Sequence, residues 1–171
     1  TLEVASQDLK TKIQKQFFDP VTGWFYDTSL DGENFIAVMG CEGWIPLWAQ
    51  VATDEQAKAV KNNMVNPELF NTLVPFQTLS ANHPDFKPNR GYWRGPNWLD
   101  QAYFGIKGLH NYAYHKEAYA ASKKLLHNAE GVLIKGGSIR ENYQPLTGEG
   151  LESENFSWSA AHYLLLLLDE Y

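Results

Sequence analysis

Three short segments combine flat rings, fixed polar groups and glycine: Gly43-Trp44-Ile45-Pro46-Leu47-Trp48, then Gly91-Tyr92-Trp93-Arg94-Gly95-Pro96-Asn97-Trp98, then Arg140-Glu141-Asn142-Tyr143. A sugar presents apolar C–H faces alternating with hydroxyl edges. A site for one therefore needs rings beside donors and acceptors, which these segments supply. Each residue also has a plain packing alternative. Glu141 on its own reads as a solvated loop carboxylate. Trp93 and Trp98 suit either core or ligand, and Trp44 and Trp48, four apart and so on one helical face, suit core better. Arg94 can close a helix end or pair with Asp100, although its place between Trp93 and Gly95 favours ligand contact.

Other side chains carry less. Glu149, Glu152 and Glu154 cluster without any known calcium spacing, so no metal is expected there. His110 and His115 are five apart on a helical stretch, which predicts different faces and a poor metal pair. His162 adjoins an apolar run and reads as a satisfied core histidine. Cys41 has no evident base partner and, as the only cysteine, excludes an internal disulfide. No phosphate-binding glycine loop occurs, and no cofactor is implied.

Composition narrows the partners. The net charge is −6, with lysines and arginines dispersed, so no basic face is available to neutralise phosphates and no nucleic-acid partner is expected. The longest apolar run, Tyr163 to Leu168, is far below the roughly 20 residues of a membrane helix, so no membrane partner is expected either. Six Trp, nine Tyr and nine Phe exceed what a helical core needs, which leaves rings for a functional surface. A first residue of Thr1 suggests a processed protein or a part of a longer one.

The elements that must position these residues are mostly helical. Leu2, Ala5, Leu9, Ile13 and Phe17 form one stripe of a first helix, ended by Asp19-Pro20. Residues 24–27 and 34–38 read as short extended pieces, and a short helix is predicted from Trp44 to Val51. Thr53 and Gln56 make a capping box for a helix to about Met64, and Asn66-Pro67-Glu68 predicts another short one. Residues 71–97, with four prolines and two glycines, predict a long loop that is functional rather than disordered. Leu99 to Tyr112 and Lys116 to Ala129 predict an antiparallel helical hairpin. Breaks follow at Gly131 and Gly136-Gly137, a second long loop at 138–156, and a last helix from Ser157. That helix is apolar all round and should be enclosed. The fold class expected is all-α, helical hairpins with the long aromatic loops at one end.

The order GCEGWIPLWAQVAT, PFQTLSANHPDFKPNRGYWRGPNW, IRENYQPLTGEG and ENFSWSAAHYLL resembles the C-terminal part of the catalytic domain in glycoside hydrolase family 63, from about residue 17 onward. YWRGPNW and ENY are its most specific parts. The family includes processing α-glucosidases and is related to trehalases and glucoamylases. The resemblance implies part of an (α/α)6 toroid, with residues 1–171 as the C-terminal portion of the catalytic domain. It also implies an inverting α-glycosidase acting on α-linked glucosides or oligosaccharides. Glu141 in the ENY segment would be the general base. Tyr92, Trp93, Arg94, Gly95, Trp98 and Tyr143 would line the sugar subsite, with Trp44 as a wall and Glu42 as a polar contact. The family's aspartate acid matches nothing in this chain. The expected partners are therefore the sugar substrate and the remainder of the catalytic domain, and the chain alone should be inactive.

Two other classes use the same residues differently. A non-catalytic carbohydrate-binding module would bind sugar without needing Glu141, whereas a helical interaction domain would bury its rings against a protein. A toroidal epimerase or isomerase would want a histidine pair near the sugar, and these histidines lie outside the aromatic motifs.

Overall fold

A computed structural model describes residues 1–133 and 137–169. Helix α1 (Leu2–Gln16) is followed by two minimal hairpins, β1 (Phe18–Asp19) with β2 (Trp24–Phe25) and β3 (Asp27–Thr28) with β4 (Phe35–Ile36). A 3-10 turn, Cys41–Trp44, runs into the one-turn α2 (Ile45–Trp48). After α3 (Asp54–Met64) a long irregular stretch leads to α4 (Leu99–Asn111) and α5 (His115–Asn128). The antiparallel ribbon β5 (Arg140–Tyr143) and β6 (Gly150–Glu154) precedes α6 (Ser157–Asp169).

Local chemistry explains several boundaries. Thr53 Oγ1 accepts from Gln56 N and Gln56 Oε1 accepts from Thr53 N, the reciprocal capping box expected at the start of α3. Asn66-Pro67-Glu68 does not start a helix. Asn66 Oδ1 accepts from Glu68 N two residues on, an Asx turn that competes with helical pairing. The stretch 138–156 is not a plain loop either: Tyr143 and Gly150 close a ribbon whose strands are too polar and short for alternation to reveal. Among the described residues the helices are therefore accompanied by three small two-stranded sheets, so the fold is not all-α. Gly131 does turn the chain, with φ +80, whereas Gly136 lies outside the described residues.

The core is built on stacked rings. Trp24 lies on Phe70 at 5.0 Å and 9°, and Trp44 meets both edge-on. Gly43 has no room for a side chain, since a Cβ would sit 2.0 Å from Trp24 Nε1. Leu99, Ala102, Ile106 and Leu109 of α4, with Ala118 and Leu125 of α5, close the interior. Helix α6 buries only Ser159, Tyr163 and Leu166 and leaves Leu164, Leu165 and Leu168 exposed, so the enclosure predicted for it is one-sided among the described residues.

Backbone pairing runs across the segments that sequence singled out. Cys41 N donates to Thr78 O, and Thr78 N and Oγ1 donate to Pro96 O. Asn97 and Tyr143 exchange two backbone bonds of 2.8 and 2.9 Å. Residues far apart in sequence thus form one strip that ends in the β5–β6 ribbon.

Candidate active site

The Asn97–Tyr143 bridge fixes the Gly91–Trp98 segment against the strand that carries Glu141. A groove of about 240 Å³ lies between them, lined by Asn89, Arg90, Tyr92, Pro96, Glu141, Asn142 and Glu152. Glu141 is half-buried, and its carboxylate has no hydrogen bond or ion pair among the described residues. Its backbone carbonyl accepts from Ser159 Oγ at 3.0 Å, which ties the strand to α6. Tyr92 holds a left-handed conformation, φ +56, that a tyrosine rarely adopts, and its ring is 60% exposed. Edge-on contacts join it to Trp93 at 5.6 Å and Trp98 at 5.2 Å, and those two indoles stack at 5.1 Å and 18°.

The remaining sequence-predicted residues divide by position. Trp93 presents a partly open indole, whereas Trp98 is sealed beneath it and donates from Nε1 to Tyr92 O. Arg94 is exposed. It makes no ion pair with Asp100: the ion pairs among the described residues are Lys107–Asp169 and Arg140–Glu154. Gly95 is buried with φ +145, and a Cβ there would meet the Lys87 carbonyl at 2.9 Å. Its lack of a side chain therefore serves the passing Lys87–Pro88 backbone rather than a ligand.

Of the predicted residues Glu141 and Tyr92 line the groove; Trp93, Arg94, Gly95 and Trp98 do not, nor do Trp44, Tyr143 and Glu42. Trp44 is wholly buried and its Nε1 donates to Gln101 O, because the 3-10 turn directs it into the ring stack. Tyr143 is wholly buried too, and its hydroxyl accepts from Arg140 N at 3.0 Å. Glu42 borders a separate, mostly apolar groove of about 320 Å³ with Ile13, Phe17, Phe25, Tyr26 and Ile45. Burial there pushes its carboxyl up to about 7, opposed by the N–H groups of Glu42 and Gly40 and reinforced by the charge of Asp27. Conversely, His110 and His115 do face each other, Nδ1 to Nδ1 at 3.1 Å, because α4 ends at Asn111 and the chain turns back. No cluster of three or more metal-ligating side chains exists among the described residues.

Asn89, Arg90, Asn142 and Glu152 line the groove without having been predicted to do so. Adjacency to the Gly91–Trp98 segment was the available signal for Asn89 and Arg90, and membership of the Arg140–Tyr143 segment for Asn142. Glu152 is brought in by ribbon pairing that sequence did not disclose.

The exposed Tyr92 ring and the Glu141 carboxylate thus line one groove on this scaffold, and the relatives of the chain are glycoside hydrolases. Residues 1–159 match the family model of the mannosylglycerate hydrolase MGH1-like glycoside hydrolase domain, and the chain belongs to that family. It is 31% identical over 145 residues to a mannosylglycerate hydrolase of Thermus thermophilus, covering 84% of this chain and 33% of the relative. It is 34% identical over 134 residues to mannosylglycerate hydrolase MGH1 of Selaginella moellendorffii, covering 78% and 26%. The crystal structure of a family 63 mannosylglycerate hydrolase from Thermus thermophilus in complex with glucose superposes with a TM-score of 0.74 at 27% identity, over 94% of this chain and 38% of that one. The resemblance to family 63 holds, and the chain spans about a third of the length of the Thermus relative.

Proposed function

We propose that this chain is the C-terminal portion of an (α/α)6 glycoside hydrolase catalytic domain and supplies the general base, Glu141, of an inverting α-glycosidase. The carrying observation is a half-buried carboxylate with no partner among the described residues, in a groove lined by Tyr92, whose ring meets the stacked Trp93 and Trp98. Such a carboxylate can hold a water and take its proton as the water oxygen attacks the anomeric carbon. The glycosidic C–O bond breaks on the opposite face, and the leaving oxygen takes a proton from an acid in the rest of the domain. Inversion requires the two carboxyl groups to be roughly 6.5–9.5 Å apart, leaving room for the water between them. The coverage of about a third of the relative supports this division of labour, as does the open apolar face of α6.

The family motifs imply a glucoside, while the names of the relatives make mannosylglycerate the first substrate to test. The complete polypeptide carrying this chain is assayed on mannosylglycerate and on α-linked glucosides, wild type against Glu141→Gln, with the product anomer followed by NMR. Inverted product from wild type, and a rate lower by about 10²–10⁴-fold in the variant, is the expected outcome. Unchanged turnover in Glu141→Gln refutes the base assignment.

A further inference from the structure

We propose that Asn142 is a further substrate-contacting residue, its side-chain amide hydrogen-bonding a hydroxyl of the sugar held against Glu141. The inference rests on the groove being the sugar subsite. In a regular strand, successive side chains point to opposite faces, yet Glu141 and Asn142 both border the groove. The ribbon is irregular at this point. Arg140 faces Glu154 and Asn142 faces Leu151, so β6 spends one residue more than β5 over the same interval, with Glu152 at φ +57. The bulge bends β6 and adds local twist beside this point of β5. Arg140 holds it in place, donating from Nη1 to Glu154 Oε1 at 2.8 Å and from Nη2 to the Glu152 carbonyl at 2.7 Å.

Asn142 is 2% exposed, and its Oδ1 is buried without a hydrogen-bond partner among the described residues. Buried amide groups in folded proteins are normally satisfied, and a leucine of similar size would avoid the desolvation cost. A position that keeps the amide despite that cost, in the groove wall next to an unpaired carboxylate, uses it on something outside the fold. The amide is uncharged and carries both a donor and an acceptor edge, which suits a neutral polyhydroxyl ligand rather than an ion.

The test uses the complete polypeptide. Asn142→Leu keeps the volume, removes the amide, and is compared with wild type for hydrolysis of mannosylglycerate and α-linked glucosides and for thermal unfolding. The expected result is a kcat/KM lower by about tenfold or more, with a midpoint unchanged or raised. Wild-type kinetics in Asn142→Leu overturns the inference. Should that variant not fold, Asn142→Asp decides the matter. A second carboxylate in the groove raises the acid limb of the kcat/KM pH profile, by like charge on Glu141, and an unmoved limb overturns the inference. An inactive Glu141→Gln together with a wild-type Asn142→Leu removes this inference alone. An active Glu141→Gln, or no hydrolysis of any probe by wild type, removes the reading of the groove and this inference with it.

Discussion

Ser159→Ala isolates the link between the last helix and the proposed base. Ser159 is 2% exposed on α6, and its hydroxyl donates to the Glu141 carbonyl at 3.0 Å. Alanine fills nearly the same volume, so no cavity term arises and the change reduces to one hydrogen bond. The net loss is about 1 kcal/mol, rising to about 3 kcal/mol if the carbonyl is left buried without a partner. The loss acts at the base itself: freed from α6, β5 shifts relative to the Gly91–Trp98 segment, and a displacement of about 1 Å at a catalytic group costs up to about 10²-fold in rate. Steady-state kinetics and amide hydrogen exchange on the complete polypeptide read the two effects separately. Faster exchange confined to residues 140–143 and a lower kcat at unchanged KM is the expected pattern, because the substrate-contacting rings are untouched. Wild-type kcat alongside wild-type exchange refutes the claim that α6 positions the base strand.

Gly43→Ala forces a Cβ to 2.0 Å from the buried Trp24 indole, so thermal unfolding should show destabilisation of about 1–3 kcal/mol or more. Trp93→Ala removes a partly open ring that stacks on Trp98 and should weaken glucose binding by calorimetry while lowering stability little. Glu42 is protonated more readily folded, at about 7, than at its ordinary 4.5, so the native state binds more protons between those values and stability falls as pH rises through that window. Glu42→Gln keeps an acceptor for Gly40 N and removes that slope, gaining on the order of 2–3 kcal/mol above pH 7 in urea titrations. Burial, then the charges of Glu42 and Asp100, push the Cys41 thiol up to about 12, so it should resist thiol reagents at pH 8 until the chain is denatured.

Sequence by itself determined most of the helices and the family. The capping box at Thr53, the apolar stripe from Leu99 and the hairpin turn before His115 are local signals, set by pairings within a few residues, and α3, α4 and α5 follow them. YWRGPNW and ENY carried the family resemblance because their residue order is itself the signal. Tertiary structure decided which of those residues share a groove. The family resemblance puts Trp44 and Tyr143 at the sugar, but a ring's burial depends on what packs over it, and the Trp24–Phe70 stack and the Asn97–Tyr143 bridge are made between residues tens of positions apart. The same holds for the β5–β6 ribbon, which brings Glu152 to the groove that Glu141 and Asn142 line: strand pairing is non-local, and no periodicity in residues 138–156 announces it.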